Sequence, residues 1–591
     1  MTRLVNNPAE FPAELVDGFI DAHPRYVRKV FGGVVRSTES RPGKVAIITG
    51  GGTGHYPGFL GWIGTGLVDG VVTGNIFSSP SASQAHSVGR AADQGGGVIV
   101  AFLNYAGDVL HFGQGAERLR ADGIEVRTTV VTDDVASAPI DERHKRRGIA
   151  GGLPVLKIGS AAAEAGLDID EVVRVLEKAN DRTRTFGVAF SGCTLPGAGA
   201  PLFTVPEGKI GVGLGVHGEK GIYETELGTA DDVAALLVDK LLTDRPDDAG
   251  RRVVAVLNGL GSAKYEELFV TYGSVKRRLE AAGLEIVDSA VGEFMTSLDM
   301  GGVSLSLVWL DDEIEEYWFA PCDAPAFVRA APIAEQLPAD RVFNTEREAL
   351  SVRRPGSEKS RAAAAFVSAG LDRVRDLLDE NADRLCDLDA VAGDGDHGIG
   401  MARGSRAAAE AASWLAAEGA GAQSTLVGAG DRWSEQAGGA SGALWGAALT
   451  AAGNAIGDDE EVDAAAQARA VRAFVTSIIR LGGASVGEKT MVDALVPFAE
   501  VFESAVESGA SAAEAWRVAA EAATAAAEAS ASLIPLRGRA RVLSQQSVGS
   551  PDPGAVSFSL IVTAVAELFA ERSTATSSPV RAQASALASA E

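Results

Sequence analysis

Three carboxylates, Asp389, Asp394 and Asp396, stand close together in LDAVAGDGDHGIG, separated by glycines and small side chains. Acids this near one another repel unless a cation lies between them. Hard oxygen donors at such density suit Mg²⁺, which keeps some waters and takes phosphate oxygens as further ligands. The glycines let backbone N–H groups come close to those phosphates. An EF-hand does not fit, because no glutamate stands at the twelfth position from any of the three. The pattern points to a metal held against a nucleotide tail.

A second set lies in the first half. TGGGTGHYP carries His55, NYAGD carries Asp108, and GVGLGVHGEKG carries His217. The glycine spacing is neither that of a dinucleotide loop nor that of a P-loop. A histidine among glycines has little bulk beside it to bury it, and can serve as nucleophile or acid–base group. Two histidines and an aspartate, each in a loop after a strand, obey the rule that α/β folds bind ligands at the carboxyl ends of strands.

The elements that must position these groups change along the chain. Lys44–Thr49, Gly97–Phe102, Glu125–Val131 and Arg252–Leu257 read as buried strands. They alternate with helical stretches such as Ala161–Ala165 and Glu171–Asn180, which predicts α/β layers over residues 1–330. Residues 331–360 are polar and proline-punctuated, as in a linker. From 361 to 572 the pattern is alanine-rich and helical, as in an α-helical bundle or barrel with glycine loops at its ends. Residues 573–591 are small and polar, which predicts a flexible tail.

Composition limits the partners. The 591 residues carry a net charge of −26, which argues against nucleic acid or anionic membrane. Three cysteines, Cys193, Cys322 and Cys386, make no disulfide framework and suit a reducing cytoplasm. No signal-peptide pattern opens the chain, and no run of eighteen apolar residues predicts a membrane span.

Further loops in the helical half belong with the aspartates: GGASG (438–442), Gly482–Gly483, GEKTMVD (487–493), GRAR (538–541) and DPGA (552–555). Between helix ends, they could wrap a nucleotide. In this order they resemble the nucleotide domain of the dihydroxyacetone kinases. The resemblance implies a barrel of helices carrying ATP and two Mg²⁺, with Asp389, Asp394 and Asp396 as metal ligands. It implies a nucleotide lining of His397, Gly398, Ile399, Gly400, Ala440, Ser441, Gly482, Met491, Arg539, Asp552, Pro553 and Gly554. After GRA, the family's SYLGERSIGH is replaced by RVLSQQSVGS (541–550).

The first half resembles the substrate domain of the same family, which is built of two α/β subdomains. By that resemblance His217 bonds covalently to a ketone carbon as a hemiaminal. Asp108 accepts the proton of the attacking terminal hydroxyl, and His55 bonds the substrate and supports the hemiaminal. Gly52, Thr53 and Gly54 touch the substrate through their loop, and the domain forms a homodimer. Two departures bear on the substrate. Tyr56 stands where many dihydroxyacetone-specific relatives have Glu, and Leu103 where many have Lys. GHYP resembles family members acting on erythruloses, so erythrulose is favoured over dihydroxyacetone. The alternatives are a dihydroxyacetone kinase proper, a ketose-sensing regulator on the same scaffold, and a lyase acting on a nucleotide.

Overall fold

The computed structural model describes residues 4–219, 221–330, 355–391, 393–537 and 547–587, with side chains to Arg572. The chain divides into two compact units, one ending at residue 336 and the other starting at 337.

The first unit is α/β and holds two six-stranded sheets. One contains β1 (Val27–Val30), β2 (Gly33–Arg36), β3 (Ala46–Thr53), β4 (Gly70–Ile76), β5 (Val98–Leu103) and β6 (Val126–Val131). Its order is β1-β2-β4-β3-β5-β6. The four strands from β4 to β6 run parallel, and β1 and β2 form an antiparallel edge. The other contains β7 (Thr183–Ala189), β8 (Lys209–Val212), β9 (Tyr223–Glu226), β10 (Arg252–Gly259), β11 (Glu285–Gly292) and β12 (Gly302–Trp309). Its order is β11-β10-β12-β7-β8-β9, with β10 and β11 its parallel pair. A ribbon of β13 (Cys322–Ala324) and β14 (Phe327–Arg329) completes the unit.

The four strands read from sequence form at or within two residues of the expected starts. β3, β5 and β10 are buried along almost their whole length because each has a strand on either side, and every residue of β5 is buried; the edge strand β6 is not, and its Thr128 is exposed. β3 runs on through Gly50–Gly52, so these glycines are strand residues rather than a loop.

The second unit is all-α. Beside the short helix Ala382–Ala390, eight of its helices form a ring: Glu358–Glu380, His397–Ala417, Ala422–Ala437, Gly439–Ile456, Ala464–Gly482, Val492–Glu507, Ala512–Ala529 and Pro553–Leu587. Each packs on the next, and the last packs on the first, so the ring closes into a barrel. Ser357 caps the first helix by accepting from the Ser360 amide, which starts it inside the expected linker. Most of that linker, residues 331–354, lies outside the described residues. The last helix continues past Arg572, where composition predicts a flexible tail.

Trp433 and Trp445 stack 5.0 Å apart inside the barrel. They line an apolar cavity of about 620 Å³. Pro553–Arg572 is long and apolar enough to cross a membrane, and half of that window is buried within the protein. Cys193, Cys322 and Cys386 form no disulfide with one another.

Candidate active site

Loops beyond β3 and β8 bring His55 and His217 together. His55 Nε2 lies 3.0 Å from His217 Nε2. His55 Nδ1 donates to the Thr296 carbonyl at 2.8 Å. His217 Nδ1 lies 2.9 Å from Glu219 Oε1. Phe77 stacks on His55 with ring centroids 4.9 Å apart. Phe77 and Tyr105 also meet the His217 ring edge-on, at 5.2 and 5.0 Å. His217 is thus walled by aromatics from distant segments, although its own neighbours in sequence are small. Gly54 makes room for this wall: its φ is +102°, and a Cβ there would sit 2.8 Å from the Phe77 ring. Gly52 faces the backbone of Phe77 and Ser78.

Burial sets the charges. His55 is enclosed and faces another imidazole, which drives its pKa down to about 3. Burial pushes Asp108 up to about 6, against a hydrogen bond from Ser79 and the nearby His217 and His111. Burial also acts to raise Glu219, but its bonds to His217 win and hold it at about 2. Asp108 sits in the first turn of the helix Ala106–Ala121, directly after β5. Its Oδ1, the Thr53 hydroxyl and the Tyr105 hydroxyl are buried without a hydrogen-bond partner. Buried polar atoms normally find partners, so three orphans on residues of these same loops suit a ligand rich in hydroxyls.

Sequence reasoning missed the segment Phe294–Asp299, which braces both histidine loops. The Thr296 amide donates to the His55 carbonyl at 3.1 Å, and the Leu298 amide to the Gly54 carbonyl at 2.9 Å. The Thr296 hydroxyl donates to the Tyr56 carbonyl at 2.8 Å, and the Ser297 hydroxyl to that of Val216. Backbone-directed bonds of this kind leave no periodicity or motif to read. Of the two departures that bear on the substrate, Leu103 is placed differently from expectation. Leu103 is 3% exposed in the apolar core, because Gly148 and Gly152 leave space for it. Tyr56 packs its ring edge-on to Phe19, with centroids 5.9 Å apart.

In the second unit Asp389 closes the short helix Ala382–Ala390, and Asp394 and Asp396 lie in the turn before His397–Ala417. One oxygen from each lies within 4.8 Å of the others. Asp389 Oδ2 accepts from the amides of Gly395 (2.9 Å) and Asp396 (3.2 Å), which folds the turn around it. Hard acceptors converging at a helix N-terminus fit a divalent cation carrying phosphate.

These aspartates border a cavity of about 450 Å³. His397, Gly400, Ala440, Ser441, Gly482, Met491, Asp552, Pro553 and Gly554 line it as well. Gly398 and Ile399 do not. A Cβ on Gly398 would lie 1.9 Å from the Ala382 carbonyl oxygen, so this glycine serves helix packing. Ile399 is 52% exposed. Arg539 lies outside the described residues, as do positions 541–546 of the altered loop.

Lys489 joins the lining unforeseen. Its Nζ donates to the carbonyls of Ser547 (2.6 Å) and Leu533 (3.2 Å), tying two loops together. Asp493 accepts from the amides of Gly487 (2.5 Å) and Thr490 (2.7 Å) and so shapes the GEKT turn. Burial, with the charge of Asp493 nearby, pushes Asp552 up to about 7. Burial lowers His397, whose Nε2 lies 3.0 Å from the Ser557 hydroxyl.

The Dak1 domain model matches residues 17–326, and the DAK2 domain model residues 391–567. The chain is 51% identical over 582 residues to an L-erythrulose kinase of Pectobacterium atrosepticum, covering 98% of each chain. It is 52% identical over 570 residues to a D-erythrulose kinase of Mycolicibacterium smegmatis, covering 96% of this chain and 98% of that one. Among solved structures it resembles the dihydroxyacetone kinase of C. freundii in complex with AMP-PNP and Mg²⁺. There the TM-score is 0.58 at 28% identity, over 96% of this chain and 99% of the other. Two domain matches in the same order and half-identical relatives along nearly the whole length make this chain a member of the dihydroxyacetone kinase family.

Proposed function

We propose that this chain is an ATP-dependent ketose kinase that phosphorylates a terminal hydroxyl of erythrulose held as a hemiaminal on His217. The contact of His55 with His217, with the orphaned Asp108 oxygen in the first turn of the helix after β5, carries the reading. His217 offers Nε2 to the ketone carbon, and His55, neutral beside it, can relay a proton to the new hydroxyl. Asp108 takes the proton of the attacking hydroxyl; a pKa of about 6 leaves it ionised at neutral pH and still basic. The Thr53 and Tyr105 hydroxyls are likewise buried without a hydrogen-bond partner. Asp389, Asp394 and Asp396 would hold two Mg²⁺, which neutralise phosphate charge when bound. His397, Gly400, Ala440, Ser441, Gly482, Met491, Asp552, Pro553 and Gly554 would line the nucleotide.

The preference for erythrulose over dihydroxyacetone rests on the half-identical relatives, since Leu103 is a core residue. On the same family reading the chain acts as a homodimer in the cytoplasm. Its net charge of −26 disfavours nucleic acid and anionic membrane as partners. The test is ketose-dependent ADP release over dihydroxyacetone, both erythruloses, glyceraldehyde and a branched pentulose. An erythrulose should give the highest kcat/KM. A higher value for dihydroxyacetone would reassign the substrate, and no ketose-dependent release would remove the kinase reading.

A further inference from the structure

We infer that Glu219 is a positioning residue for the covalent step, which it serves by fixing the tautomer of His217 and carrying its counter-charge; the inference rests on the hemiaminal reading above. Hydrogen-bond direction dictates where the protons lie. Glu219 Oε1 accepts from His217 Nδ1 at 2.9 Å, so that ring nitrogen carries hydrogen and Nε2 is left as the nucleophile. His55 is oriented in the same way, because the Thr296 carbonyl at 2.8 Å can only accept from its Nδ1. With both Nδ1 atoms protonated, the 3.0 Å contact between the Nε2 atoms holds one proton. Burial keeps His55 neutral, so the positive charge of the pair lies on the His217 ring, in contact with the Glu219 carboxylate.

Glu219 is itself held on its other side. Its Oε2 accepts from the His217 backbone amide at 2.9 Å and lies 3.7 Å from Arg147 Nη1. Arg147 is anchored 2.8 Å from the buried Asp134. The Asp134–Arg147–Glu219 chain therefore fixes the carboxylate while it fixes the imidazole. Hydrogen bonding keeps Glu219 ionised, with a pKa near about 2, across the working range.

The step balances within this set. The Nε2 lone pair of His217 forms the C–N bond, and the π pair of the ketone moves to its oxygen. The proton between the two rings leaves His217 Nε2, which frees that lone pair, and passes by way of His55 to complete the hydroxyl. The positive charge of the pair ends on the alkylated His217 ring, still against Glu219. A neutral group in place of this carboxylate leaves the ring free to carry its proton on Nε2, which has no lone pair for the ketone. It also removes a charge-assisted bond, the stronger kind, from the adduct.

The test uses the full chain with a ketose labelled with ¹³C at its ketone carbon and no nucleotide. In the unaltered protein, bound ligand should show the tetrahedral carbon of a hemiaminal in place of the ketone signal. Glu219→Gln should lower the adduct fraction at least tenfold and raise the ketose KM to match, with the ATP KM unchanged. Glu219→Asp should recover part of the adduct. Full adduct and an unchanged ketose KM in Glu219→Gln would overturn the inference alone. Equal loss in both variants, accompanied by a lowered melting midpoint, would overturn it too, by assigning Glu219 to folding. Absence of adduct in the unaltered protein would remove the hemiaminal reading, and the inference with it.

Discussion

The Nε2 atoms of His55 and His217 lie 3.0 Å apart although 162 positions separate them in the chain. Neither residue can reach the other without the loop beyond β3 and the loop beyond β8 folding toward one another. The Phe294–Asp299 segment holds both loops in that arrangement.

His217→Ala should abolish covalent capture, seen as loss of the ketose mass adduct. Turnover should fall by roughly 10²–10⁴, because the tether supplies both position and orientation. ATP affinity, measured separately by calorimetry, should stay as it was. An unchanged adduct would remove His217 from its assigned role.

Asp108→Asn should still form the adduct but lose transfer, by about 10²–10⁴ for a missing general base. Only the ionised carboxylate can accept the hydroxyl proton. In the unaltered enzyme kcat/KM should therefore be full above about pH 6 and fall as pH drops through that value. The residual activity of the variant should lack this acidic limb in a pH–rate profile.

Asp394→Ala breaks the carboxylate trio. Mg²⁺-dependent ATP affinity should fall by about 10²-fold or more, as expected when a direct metal ligand is lost. Ketose capture on His217 should persist. Calorimetry with and without Mg²⁺ separates the two, and intact Mg²⁺-dependent affinity would refute the metal assignment.

Gly398→Ala sets two effects of opposite sign against each other. Alanine in place of glycine favours a helix by about 1 kcal/mol. The new Cβ, however, would lie 1.9 Å from the Ala382 carbonyl oxygen, a backbone atom that cannot swing away. Overpacking of this kind costs about 1–3 kcal/mol, so the net change should be destabilising. A raised urea midpoint for the second unit would show that the two helices yield instead.

Much of this was legible from sequence where residue type and position coincide with an element end. Asp389, Asp394 and Asp396 needed only a helix end and a tight turn to converge, and the glycines between them announce that turn. Asp108 follows a recognisable apolar strand. His55 and His217 could be singled out, but their aromatic wall of Phe77 and Tyr105 could not, because it comes from other segments. Leu103 was misplaced for a related reason: whether its side chain enters a pocket or the core depends on Gly148 and Gly152, far along the chain. Thr296 acts largely through its backbone amide and carbonyl, groups that carry no mark of residue type. Lys489 acts by pointing at two other carbonyls.

The ring of eight helices closes only when Pro553–Leu587 lies against Glu358–Glu380. During synthesis its opening helix must therefore wait for nearly two hundred further residues to leave the ribosome before its final neighbour arrives. The α/β unit, complete long before, can fold ahead of it. Until then the ring stands open with its Trp433 and Trp445 side in water. A ribosome stalled between Ala529 and Asp552 would thus release a folded front half joined to an adhesive, unfinished back half.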